Sequence, residues 1–126
     1  MATAEGAKTL YFPEVSRQWQ DWIQVINVGN EQTRGTAIAH HHATGKPLWS
    51  EEKEINSFES WIPNLESIKE NTWMQFNAEQ PIVAERHMHN GSNIIDLIGA
   101  AEAYETVGKR LFFPEVSSGA MDWFRF

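Results

Sequence analysis

The five histidines are the side chains in this sequence best suited to chemistry. His40 and His42 stand two apart, and so do His87 and His89. On an extended strand residues i and i+2 share a face, so each pair would present two imidazoles together, with His41 turned the other way. Two such pairs on neighbouring strands would offer three or four nitrogens to one divalent metal, and Glu85 would add a carboxylate on the His87 side. The same residues suit a pH-responsive interface, because imidazole is the side chain whose charge changes near neutral pH. Their plainest role is that of outward histidines sharing hydrogen bonds on the solvent side of a sheet.

Other chemistries find less to work with. Cysteine is absent, which excludes disulfides, thiolate nucleophiles and cysteine-based metal sites. The chain contains no Gly-x-Ser-x-Gly elbow, and no Ser, His and acidic set has a spacing that argues for a triad. Glu51, Glu52, Glu54, Glu59 and Glu66 lie in polar segments among Lys53 and Lys69, as a solvated face requires. The glycines are scattered at turns, so no phosphate-cradling loop is expected. Trp19, Trp49 and Trp61 stand near turns, where indole faces can stack on sugar rings, although core packing accounts for them equally well. These observations point to a non-catalytic protein with no cofactor.

A chain of 126 residues with 41% hydrophobic and 21% charged residues suits one folded domain. Its formal charge of −7 disfavours a general nucleic-acid binder, which needs a basic face. No apolar run approaches the ~20 residues of a membrane-spanning helix, and residues 1–8 lack the blocks of a signal peptide. The expectation is a soluble protein with no membrane insertion, either cytoplasmic or, as part of a longer parent, secreted or at the cell surface.

An internal repeat organises the sequence. Leu10-Tyr11-Phe12-Pro13-Glu14-Val15-Ser16 recurs as Leu111-Phe112-Phe113-Pro114-Glu115-Val116-Ser117, and Asp21-Trp22 recurs as Asp122-Trp123 at the same offset. Residues 10–22 thus share eight of thirteen positions with residues 111–123, too many for coincidence. Either a unit is repeated in a longer parent, or the two copies play equivalent parts in one fold or across an oligomer axis. The division this implies is a tail over 1–9, a unit over 10–110, and the start of a second copy over 111–126. Phe12, Pro13, Glu14 and Val15, with Phe113, Pro114, Glu115 and Val116, are then candidate interaction strands, each pairing with a sheet edge in its own domain or another. A proline just inside a short apolar run suits an edge strand, which loses little by lacking one N–H.

Short β-branched and aromatic runs separated by turn residues predict the remaining elements. Trp22–Val28 and Thr33–His42 read as an antiparallel hairpin across Gly29-Asn30-Glu31-Gln32. Leu48–Ile55 and Phe58–Ile62 read as weaker strands, and Thr72–Asn77 and Pro81–His89 as a further pair separated by Ala78-Glu79-Gln80. Residues 93–98 suit a strand and 99–106 a short helix or turn. Asn27, ahead of Gly29-Asn30, is placed to bond its amide to turn backbone. The expected fold is an all-β antiparallel β-sandwich of about eight strands, Ig-like or jelly-roll in type.

Two resemblances attach to these residues. Phe12-Pro13-Glu14-Val15, Asp21–Glu31, the hairpin over Ala39–Gly45 and Gln80-Pro81-Ile82-Val83 resemble tandem-repeat modules of roughly 100 residues in bacterial secreted and surface proteins. Val25–Glu31 and Gln75–Ala84 are similar to the sensory rhodopsin transducer family, small β-sandwich proteins that assemble as oligomers. Both resemblances imply a β-sandwich and carry over no catalytic residue. His40-His41-His42 and Glu85–His89 depart from the tandem-repeat pattern, so the chemistry of those strands is this protein's own. The function expected is a structural or interaction module, a homo-oligomer or a partner of neighbouring repeats. The alternatives are a signalling adaptor or small-ligand binder with a receptor or carbohydrate partner, and a histidine-site metalloprotein.

Overall fold

The computed structural model describes residues 6–15 and 22–87. They form six strands, β1 (Ala7–Val15), β2 (Trp22–Asn27), β3 (Thr33–His41), β4 (Pro47–Ile55), β5 (Ser60–Trp61) and β6 (Thr72–His87), and no helix. All pairings are antiparallel and join the strands in one sheet, in the order β4-β3-β6-β2-β5 with β1 also on β6. The two ends of that order meet through side chains. Trp61 Nε1 on β5 donates to Glu51 Oε2 on β4 at 2.9 Å, so the sheet is nearly closed into a barrel. The all-β antiparallel class holds. The pairing joins the described strands in a single curved sheet of six, where a sandwich of about eight strands was expected. The readings over 88–126, including those at 93–98, 99–106 and 111–126, lie outside the described residues, as does the linker 16–21.

Period-two alternation sends one face of each strand inward. The core takes Leu10, Phe12 and Val15 from β1, Ile23 and Val25 from β2, Ala37 and Ala39 from β3, and Ile55 from β4. Trp61 joins them from β5, and Met74, Phe76, Ile82 and Ala84 from β6. Phe76 takes Phe12 and Trp61 edge-on, with ring centroids 5.7 and 6.2 Å apart. Burying each large apolar side chain contributes on the order of 1.5–3 kcal/mol. The inward residues at the middle of β3, after buried Thr33, are Gly35, Ala37 and Ala39, all small, and this leaves room for the rings. A Cβ at Gly35 would stand 2.7 Å from Ile55 Cδ1 and 3.0 Å from Trp61 Cζ3.

Two connections differ from the sequence reading. β2 and β3 do not form a hairpin with each other; each pairs with a different part of β6. Asn27 explains the crossing. Its Nδ2 donates to the Glu31 and Ile55 carbonyls at 2.7 and 3.0 Å, and its Oδ1 accepts from the Gly29 N–H at 2.9 Å. The predicted side-chain bond to the turn is present, and it holds an arch, which sends the chain to a new place on the sheet.

The second difference is β6, one continuous strand where two were expected. Pro81 lies within it, next to the stretch where β6 changes partners. On one side Asn77 pairs with Thr36 of β3; on the other Ile82 pairs with Asn27 of β2. The register with β1 shifts across the same interval, and Thr33 Oγ1 accepts the Glu79 and Gln80 N–H groups. A missing N–H costs least at such an irregularity. Among the described residues β1 pairs with β6 alone, as an edge strand should, and begins at Ala7.

Candidate interaction face

The outward side chains of β5, β2 and the second half of β6 line up in rows. Ile26 lies between Ser60 and Val83. One step along, Val28 lies between Phe58 and Pro81, since the Phe58 N–H donates to Asn27 O and the Val28 N–H to Pro81 O. On the other side Gln24 faces Glu85, with Ile62 following β5, and beyond them Trp22 faces His87. These rows are mostly apolar. Ile26, Val28, Pro81, Val83 and Trp22 are only half-buried, while Phe58 and Ile62 are 74% and 54% exposed. Apolar area spread over three strands marks a surface that gains by being covered.

Phe58 is held in position. Its φ of 59° is the left-handed region, unusual for a bulky side chain. The surrounding turn is pinned by the Phe58 N–H to Asn27 O at 2.8 Å, by Ser57 Oγ to Gly29 O at 2.5 Å, and by the Asn56 N–H to Glu59 Oε2 at 3.1 Å. Backbone strain fixed by several bonds and presenting a ring to solvent is the pattern of a contact site. Sequence reasoning assigned Phe58–Ile62 to a weak strand and missed this. The usable signal was β2: Trp22-Ile23-Gln24-Val25-Ile26-Asn27-Val28 is apolar on both phases, as strands covered on both faces are.

Two histidines lie at opposite ends of β6, His40 on the neighbouring β3 and His87 on β6 itself. His40 pairs with Trp73 in register and stacks on it, with centroids 3.9 Å apart. Its Nδ1 lies 3.1 Å from Gly45 O; a carbonyl only accepts, so Nδ1 is the donor, and Nε2 is buried. His87 pairs with and stacks on Trp22, at 3.8 Å, with Glu85 Oε1 at 3.4 Å. Trp73 and His87 are fourteen positions apart on β6, which is about 46 Å of extended strand at ~3.3 Å per residue.

The fold therefore does not bring His40 and His87 together. His42 is exposed in the turn after β3, stacked on His41, and His89 lies outside the described residues. Among the described residues no three His, Cys, Asp or Glu side chains form a metal-holding group. His41 braces the turn that follows it, since its Nδ1 accepts the Ala43 and Thr44 N–H groups and its Nε2 meets Glu70 at 3.2 Å.

The candidate interaction strand at Phe12, Pro13, Glu14 and Val15 is β1, with Phe12, Glu14 and Val15 buried; Phe113, Pro114, Glu115 and Val116 lie outside the described residues. Of the tryptophans proposed as a sugar platform, Trp61 is in the core and Trp19 lies outside the described residues. Trp49 is half-buried and lines an open depression with Glu51, Asn64, Glu66, Ser67 and Lys69. No helix among the described residues is long and apolar enough to cross a membrane.

An antiparallel sheet nearly closed on itself, with one long strand shared by all but the outermost strands, is a fold seen before. Fourteen solved chains match it. The Anabaena sensory rhodopsin transducer aligns with a TM-score of 0.55 at 11% identity, over 64% of this chain and 95% of that one. Thermotoga maritima protein 1070 aligns with a TM-score of 0.54 at 17% identity, over 66% of this chain and 80% of that one. At such identities the likeness concerns the fold alone. It supports the resemblance to the transducer family, and the two stretches that carry it are adjacent strands, with Val25 paired to Ala84 and Ile26 to Val83. The resemblance to tandem-repeat surface modules gains no support from these matches. No protein-family model matches the sequence, and no curated protein matches it.

Proposed function

We propose that this protein is a non-catalytic interaction module that associates with a second copy of itself through the outer face of β5, β2 and the second half of β6. The observation that carries the reading is the apolar rows on that face, with Phe58 fixed in a left-handed turn at their rim. Two copies meeting by the same patch would cover both faces at once, the self-complementary geometry of twofold dimers. The fold likeness to a sensory rhodopsin transducer favours a signalling adaptor as the form such a module takes. The test is light scattering on the full chain and on the Phe58→Asp/Ile62→Asp variant. The native chain is expected as an oligomer, and the variant as a monomer with an unchanged melting temperature. A monomeric native chain, or a variant that melts lower while keeping its mass, would end this reading.

A second reading, a small-ligand site for a neutral carbohydrate, is supported by the depression beside Trp49. Glu51 is fixed there by Trp61 Nε1 and by the Asn64 N–H at 3.2 Å, so its carboxylate is pre-placed next to an indole. Titration with a set of neutral oligosaccharides, followed by tryptophan fluorescence, should show saturation that Trp49→Ala removes. An unresponsive native chain would dismiss it.

A further inference from the structure

Of the side chains that make up the outer rows of β5, β2 and the second half of β6, one is Asp, Glu, Lys or Arg: Glu85. Gln24 faces it across on β2, Val83 precedes it on the same side of β6, and His87 follows it. The Glu85 side chain is 47% exposed, so water solvates its carboxylate while the face is open. Covering the face removes that water, and a carboxylate stripped of water is costly unless a counter-charge comes with it. An otherwise uncharged contact surface thus holds one anion that has to be neutralised each time the surface closes.

His87 is the group in reach that can supply the positive charge. Its Nε2 lies 3.4 Å from Glu85 Oε1, and its ring lies flat on the indole of Trp22, with centroids 3.8 Å apart and planes 5° from parallel. Carboxylates and indole faces both attract cations, more strongly once water is excluded. Among the described residues β2 sets only Trp22 and Gln24 against this end of the face, and neither titrates; Arg86 lies on the opposite, buried side of β6. His40 offers a contrast, for it stacks on Trp73 in the same way but turns its Nδ1 to the uncharged carbonyl of Gly45. We infer that the outer face binds protons as it closes: the His87 ring of each copy takes one up, and the imidazolium neutralises Glu85 inside the contact. This rests on the outer-face reading and adds its regulation. Imidazole changes charge near neutral pH. A proton gained on association holds the copies together at acid pH, and that hold is lost as the pH rises.

Sedimentation equilibrium of the full chain at fixed ionic strength, at about pH 8 and about pH 6 on either side of the imidazole range, reads this directly. With one proton taken up per copy, the native dissociation constant should fall by about tenfold or more between those two conditions. Glu85→Gln removes the charge to be neutralised, so at the higher pH it should associate as tightly as the native chain does at the lower, with little further response to acid. His87→Gln leaves Glu85 charged and unaccompanied, and should associate weakly under both conditions. Every other titrating group is common to the three chains, so the differences between them isolate this pair. Both side chains are outward and partly exposed, which keeps the core out of the comparison. A native constant that is unchanged or weaker in acid overturns the inference and leaves the outer-face reading standing. So does an acid response that survives in His87→Gln, or a Glu85→Gln chain no tighter than native at the higher pH. A native chain that is monomeric throughout ends the outer-face reading and this inference with it.

Discussion

Where β6 runs between β1 and β3 its outward side chains are Trp73, Gln75 and Asn77; where it runs beside β2 they are Pro81, Val83, Glu85 and His87. The first half sits in a polar lattice. Asn77 Oδ1 accepts from Thr9 Oγ1 and Gln75 Nε2, and one strand further out Arg34 bridges Glu54 and Glu52 at 3.0 and 3.2 Å. The second half carries Ile26, Val28, Phe58 and Ile62 beside it, and few polar groups. Both halves share one core and one strand, so their inward faces are under the same constraint. The outward rows are free to differ, and they do: one is tied together by side-chain hydrogen bonds and ion pairs, the other is mostly apolar and partly exposed.

That contrast is most vulnerable at the crossing between the halves. Asn27→Leu leaves the Gly29 N–H and the Glu31 and Ile55 carbonyls unpaired. At ~1–3 kcal/mol per orphaned group the loss should be about 3 kcal/mol or more, seen as a fall in the urea midpoint. Next in size is Gly35→Ala, which drives a methyl into Ile55 and Trp61 inside the polar half. Overpacking of this kind costs about 1–3 kcal/mol, and an unshifted melting curve would show that β3 can retreat.

Phe58→Gly separates fold from contact on the apolar half. Glycine accepts the left-handed φ freely, so chemical denaturation should show a gain of about 0.5–1 kcal/mol, while light scattering should show the proposed self-association weakened. Last comes Arg34→Ala in the polar half. The Glu54 hydrogen bond and then the charges of Glu54 and Glu52 hold the Arg34 guanidinium above its ordinary pKa, but it is exposed and cationic at any working pH. Its removal should leave both melting temperature and mass unchanged. A drop in mass would move the contact surface to the wrong half.

Local pattern carried the strands themselves. The alternation in Trp22–Val28 and Thr33–His42, the turn after His42, the edge character of the Pro13 strand and the turn-bonding role of Asn27 were all legible from residue order. The candidate site was legible only in part. Apolar residues on both phases of β2 are visible in the sequence, but they read there only as a strand of a hairpin, and nothing local says that Phe58 and Ile62 join its outer face. Histidine spacing suggested a shared metal, and failed to reveal that His40 and His87 are stacked on separate tryptophans, Trp73 and Trp22.

Residue order alone settles where the chain is extended and which side chains fall on each face of each strand, because backbone stereochemistry repeats every two residues wherever the strand lies. Who pairs with whom is settled in the folded chain: β2 and β3 part company, two runs merge into β6, and Phe58 joins Ile26 and Val83. Pairing depends on arches such as that around Asn27 and on the summed fit of distant side chains, and neither is written in the spacing of any single segment.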